Sequence, residues 1–228
     1  MILIGALGLV LMIPVALVFE LVSERQATRD GAVLEVAQKW GLRQTLAGPV
    51  LSIPVRQKLK DEKGDVTWHT SVVHYLPENL AVTATLSPEI RYRGIYRVVL
   101  YTSRVSVKAD FHYPDMSRHG GPDREILWND AFLTLGVSDL KGIKDVATIT
   151  WDNRRLDAEP GLRTKDLVEA GITMRPTLSP ERAVLPFAME FGLNGSQEFN
   201  LIPVGKETTL SMASEWGDPS FRGRAKIS

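Results

Sequence analysis

Cysteine is absent from the chain. That excludes disulfides, thiolate nucleophiles and cysteine-ligated zinc together, and it leaves the compartment open, since envelope proteins of bacteria often lack cysteine too. An excess of one charge is also missing. The 27 Lys and Arg residues balance 27 Asp and Glu, for a formal net charge of +0. A chain so balanced has no bulk attraction for nucleic acid or acidic lipid. There is no G-x-S-x-G elbow, no H-E-x-x-H, no Walker loop and no G-x-G-x-x-G. Beyond the N-terminus no second apolar run reaches membrane length, so these residues cross a bilayer at most once.

What is there begins with MILIGALGLVLMIPVALVFELV. Ile2 to Phe19 carries no charge and, continued to Val22 past Glu20, reaches roughly 30 Å as a helix, the thickness of a bilayer's hydrocarbon core. Pro14 lies mid-span, where membrane helices tolerate it. A cleaved signal needs a basic segment before the apolar core and a small-x-small site after it, and neither is present. Residues 1–22 are therefore expected to stay as a membrane anchor. Arg25 and Arg29, set against Glu24 and Asp30, give little orientation signal, and that signal weakens further ahead of a long domain.

Residues 23–41 read as an amphipathic helix continuing the anchor. Val22, Ala27, Val33, Val36, Ala37 and Trp40 recur near helical spacing, and Gly41 is a natural stop. Trp40 is expected to pack on the following domain near Val50 and Ile53. After Gly48-Pro49, read as the end of the helix-to-strand link, the period changes to two. VLSIPVRQK, VTWHTSVVHYL, LAVTATL, IYRVVLYTSRVSVKADF, AFLTLGV, VATITW, VLPFAMEFGL, SQEFNLIPV and TTLSMAS all read as strands. Turns are expected at Lys63-Gly64-Asp65, Gly94, Asp152-Asn153 and Asn194-Gly195, the last as a hairpin. A short helix is expected around Lys165 to Ala170. The fold class is all-β: an antiparallel sandwich over residues 42–223, hung on an N-terminal helix, with a tail at 224–228.

Chemistry-bearing residues are sparse. VGKETT shares only Gly205-Lys206 with a phosphate loop. His69 and His74 lie five apart in a strand, on opposite faces. His112, Asp115 and His119 in HYPDMSRHGGPD supply three zinc-type ligands, but in an ordinary polar loop, and a solvated loop is the expected reading. Asn194-Gly195-Ser196 fits a glycosylation sequon that its turn chemistry already explains. No carboxylate pair of glycosidase type can be picked out by spacing. No catalytic, cofactor-binding or metal residue is assigned, and no cofactor is expected.

Four segments carry a family resemblance: LVSERQATRDGAVLEVAQKWGLRQTLAGPVLSIP, YLPENLAVTATLSPEIRYRGIYRVVLYTSRV, WNDAFLTLGVSDLKGI and LNGSQEFNLIPVGKETTLSMASEWGDPSFRG. Together these resemble the CreD family of bacterial inner-membrane proteins. The resemblance implies a retained first helix, a large periplasmic domain and a role in envelope integrity under a two-component regulon. It also implies further membrane helices after Pro219-Ser220-Phe221, so that this chain reads as a truncated or short form. It supplies no catalytic residue. Two functions follow: a non-enzymatic envelope domain with lipid through the helix, and an envelope protein or lipid, as partners; or a periplasmic hydrolase or carbohydrate-active enzyme on a β-sandwich. A convergent polar cluster in a cleft would separate the two.

Overall fold

The computed structural model describes residues 2–60, 65–217 and 220, with side chains from residue 12 onward except at 146–147. Among the described residues the one α-helix, α1 (Ile2–Trp40), runs unbroken through Pro14. Among the described residues no helix is long and apolar enough to cross a membrane. The apolar run of the expected anchor falls largely outside that set, because the side chains of residues 1–11 are not described. The tail at 224–228 and the exit at Pro219 and Phe221 also lie outside the described residues.

Thirteen strands follow among the described residues: β1 (Gln44–Lys60), β2 (Val66–Tyr75), β3 (Asn79–Arg93), β4 (Tyr96–His112), β5 (Arg124–Ile126), β6 (Phe132–Val137), β7 (Ile143–Trp151), β8 (Arg154–Arg155), β9 (Ala158–Pro160), β10 (Gly171–Met174), β11 (Val184–Ser196), β12 (Phe199–Ile202) and β13 (Glu207–Ser214). They form two sheets. One has the order β12-β1-β6-β10-β9, with β2 and β5 also paired to β1; the other runs β13-β3-β4-β11-β7-β8. Most ladders are antiparallel, but β1–β12 and β3–β13 are parallel. These late strands add to sheet edges after long connections, which a hairpin cannot do.

One apolar core fills the space between the sheets. Leu51, Leu133, Leu135, Ile172 and Met174 from the first meet Val82, Val105, Val107, Phe111, Trp151, Phe187 and Phe191 from the second. Trp151 stacks at a tilt on Phe111, centroids 5.5 Å apart, and its indole N–H donates to Thr177 O at 2.9 Å. The outer face of the first sheet is covered by the chain around residues 161–170. Arg163 lies over the Phe132 ring, and Val168 fills the space above Gly136.

The structure corrects four expectations. Asn194-Gly195 is not a hairpin turn: both residues lie inside β11, opposite Thr102 and Tyr101 of β4. The chain turns instead at Gln197 (φ 62°) and crosses to the other sheet. Gly48-Pro49 sits within β1, at a bulge between Ala47 and Val50, with Gly48 at φ 109° against Thr134 O. Lys165 to Ala170 forms bends, not a helix; Val168 is drawn onto the sheet, and Thr164 Oγ1 takes the Asp166 N–H at 3.3 Å. Trp40 packs on the second sheet, away from Val50 and Ile53, which belong to the first. The turns at Gly94 and Asp152-Asn153 are present, the latter pair both at positive φ. Residues 61–64 lie outside the described set, but the β1–β2 hairpin they join is formed.

Candidate functional site

The seam between α1 and the second sheet is built by the helix's last two turns. Val33 and Ala37 are buried, Val36 and Trp40 half-buried, whereas Val22 and Ala27 remain exposed. The stripe read from the sequence is therefore covered by protein only in its C-terminal half. Val33 packs on Val98 and Leu100, the outward residues of β4, whose inward residues line the main core. This strand is buried on both faces where the helix crosses it. The Trp40 indole N–H donates to Tyr101 O at 3.1 Å, and the Arg91 guanidinium lies 4.5 Å over its ring. Arg93 holds Glu35 through two hydrogen bonds of 2.9 and 3.0 Å. Glu35, Val36, Lys39, Trp40, Arg91 and Arg93 enclose a shallow groove beside this seam.

The joint is fastened below the helix by buried polar groups. Gly41 lies so close to Asn194 that a Cβ there would stand 2.4 Å from the carbonyl oxygen. The Gln44 side chain is fully buried; its amide donates to Asn194 O at 2.9 Å and Asp139 O at 3.2 Å, and accepts from Asp139 N. It ties both sheets to the helix-to-strand link. Tyr101 donates to Glu198 O at 2.9 Å, and its burial pushes the phenol far above its ordinary pKa.

A second constellation lies on the outer face of the first sheet. Ser52 Oγ is 2.9 Å from His74 Nδ1, and His74 Nε2 is 3.8 Å from Asp166 Oδ2. Next to it Ala47, Gly48, Val50, Leu76, Thr134, Leu167, Val168, Ile202 and Val204 line a small apolar cleft, onto which the buried Thr134 hydroxyl faces without a hydrogen-bond partner. The residue types are those of a nucleophilic triad, but the geometry is not. Ser52 is wholly buried, so no substrate carbon reaches its oxygen. The 3.8 Å separation is too long for a hydrogen bond that would orient the ring. Ser52 and His74 are direct cross-strand partners in the β1–β2 ladder, which accounts for their contact. Sequence reasoning missed this pair: the expected turn Lys63-Gly64-Asp65, centred on Gly64, would put Ser52 opposite Leu76, and the observed register is centred one residue earlier.

The other flagged residues do not converge. Among the described residues no three His, Asp or Glu side chains are grouped to hold a metal ion. His69 is exposed on β2, and His112 ends β4. Asp115 turns its carboxylate back onto Ser117 N at 2.9 Å, and that hydrogen bond lowers its pKa. Tyr75, from the neighbouring strand, donates to Asp115 O at 2.9 Å; burial first, then the nearby Asp115 charge, raises its phenol pKa. Lys206 is engaged by Glu78, not poised over a phosphate site.

A two-layer β domain clamped to the end of a long helix whose other end is apolar defines a helix-tethered β domain. The chain matches the family model "Inner membrane protein CreD" over residues 1–226 and belongs to that family. It is 29% identical over 218 residues to the inner membrane protein CreD of Escherichia coli (strain K12), covering 94% of this chain and 48% of the relative. The chain thus spans about half the length of the curated relative it matches. No solved structure matches it.

Proposed function

We propose that residues 1–22 are a retained inner-membrane anchor, that residues 23–41 carry its helix out to the domain, and that residues 42–223 form a periplasmic β domain. On this reading the domain works without catalysis, as a scaffold or sensor that contributes to envelope integrity, and its partners are the membrane and an envelope protein or lipid. The observation that carries the reading is the unbroken helix Ile2–Trp40, which has an apolar run at one end and is clamped to a sheet at the other. The family membership supports the inner membrane as its location. The experiment is a phosphatase reporter fused after Gly223, combined with N-terminal sequencing of membrane-fraction protein. Reporter activity with an uncleaved N-terminus is expected. A mature chain beginning near Ser23, or a silent fusion that is well expressed, would count against it.

Hydrolysis is the alternative reading; Ser52 and His74 are the nucleophile–base contact it would have to use, and the full burial of Ser52 weighs against it. A panel of short-chain esters tests it. Turnover by the intact chain that vanishes in Ser52→Ala would establish a nucleophile there, and equal, background turnover by both proteins would retire the idea.

A further inference from the structure

We propose that the tip of the β3–β4 hairpin is a second membrane contact, seated among the phosphates of anionic lipid beside the anchor. The inference rests on the anchor reading above.

The direction of the hairpin comes from its contacts with the helix. Trp40 meets Arg91 and Tyr101, Glu35 meets Arg93, and Val33 packs on Val98. Moving along the helix towards its apolar end therefore means moving along both strands towards their turn. The turn points at the same bilayer as the anchor.

Its depth can be set against the helix. From Val98 back to Ile95 an extended strand rises about 10 Å. A helix covers that distance in about seven residues, which from Val33 leads to Gln26. Val22, the end of the apolar run, is about 6 Å nearer the bilayer centre for an upright helix. The headgroup layer is about 5–8 Å thick on each side of the hydrocarbon core. The tip thus lies at headgroup level.

The chemistry of the tip suits that level. Ile95 is 84% exposed and Tyr92 71%, and neither has any packing role to explain it. Gly94, at φ 59°, makes the tight turn that places Ile95 outermost. The tip sequence EIRYRGIYR carries three arginines against one glutamate, although the whole chain is neutral. Arg91, under Trp40 and ion-paired with Glu89, and Arg93, ion-paired with Glu35, are held at their outer strand positions yet keep 45% and 58% of their side chains in solvent, where a lipid phosphate can join or replace the carboxylate. Tyrosine with an apolar ring and polar tip, arginine with a phosphate-matching fork and a single apolar side chain at the apex form an interfacial set. Arg25 and Arg29 on the helix reach the same layer, balanced there by Glu24 and Asp30, so the local excess of positive charge belongs to the hairpin tip.

Because the chain is free of cysteine, a single introduced thiol reports one position. Spin labels at Ile95→Cys, Leu17→Cys and Lys165→Cys, each in the full chain, would be compared in vesicles of phosphatidylethanolamine with phosphatidylglycerol. The readout is collision with an aqueous, neutral nickel chelate against oxygen, which concentrates in lipid. Leu17→Cys should be shielded from nickel, Lys165→Cys open, and Ile95→Cys shielded several-fold relative to Lys165→Cys. Replacing phosphatidylglycerol by phosphatidylcholine should restore much of the nickel access at Ile95→Cys. If Leu17→Cys is shielded but Ile95→Cys is as open as Lys165→Cys, the hairpin contact is wrong and the anchor stands. If Leu17→Cys is open, the anchor reading fails and this inference fails with it. Shielding of Ile95→Cys that is unchanged in phosphatidylcholine, or that persists in maltoside micelles, would point to a cover other than anionic lipid and overturn the proposal.

Discussion

The hydroxyl of Tyr101 occupies the space that a side chain at Gly195 would need: a Cβ there would lie 2.2 Å from the phenol oxygen. The ring cannot easily swing aside, since it packs edge-to-face with Phe199, centroids 6.5 Å apart, and its hydroxyl donates to Glu198 O. Gly195→Ala should therefore destabilise the domain by ~1–3 kcal/mol through overpacking. Thermal or denaturant melts check the loss. In combination with Tyr101→Leu the two costs should fall short of their sum, as expected for side chains that share one space.

The helix should contribute to domain stability and not merely tether it. Trp40→Ala removes a half-buried indole, its hydrogen bond to Tyr101 O and its contact with Arg91, for an expected loss of roughly 3 kcal/mol. Trp40→Phe keeps most of the packing and should cost only about 1 kcal/mol. A fragment beginning at Leu42 should melt at lower denaturant than one beginning at Ser23, because Val33 and Ala37 would no longer cover Val98 and Leu100. Equal midpoints would show that the seam adds nothing.

Gln44→Leu should be more damaging than its similar size suggests. It would strand the carbonyls of Asn194 and Asp139 in a fully buried site, at ~2–4 kcal/mol for the pair. Differential scanning calorimetry of the two proteins measures this. A change below about 1 kcal/mol would mean that water replaces the amide there.

Much of the fold was legible and most of the joint was not. The nine strands read from Val- and Thr-rich alternation are all present, because a half-buried sheet imposes period two on its sequence. β10 (GITM) was too short to show any period. Asn194-Gly195 gave a true local turn signal that tertiary structure overrode: the glycine is required by Tyr101, a residue ninety-odd positions away. Trp40, expected near Val50 and Ile53, lies on the other sheet for the same reason: sequence spacing does not say which strand lies under a helix. Ser52 and His74 face each other only through a register that the β1–β2 hairpin sets.

Glu78 and Lys206 give a pH dependence whose sign can be stated. The hydrogen bond from Lys206 lowers the Glu78 pKa, and its partner raises that of Lys206. A lowered carboxyl pKa contributes stability above its unfolded value and loses it as pH falls through the folded one. The raised ammonium pKa contributes below its unfolded value and loses that as pH rises through the folded one. The pair's contribution should therefore be flat through neutrality and fall at both extremes. An NMR titration should find the Glu78 carboxyl below its ordinary range, and Lys206→Met should return it upwards.

Because α1 has no break between Ile2 and Trp40 and its end is locked to β4, the helix and the β domain form one lever. With an anchored helix, a thinner bilayer tilts it to hide its apolar length, and the whole sandwich then leans by the same angle. A change of a few ångströms in membrane thickness would be read out as a displacement of the far edge of the domain, with no rearrangement inside it.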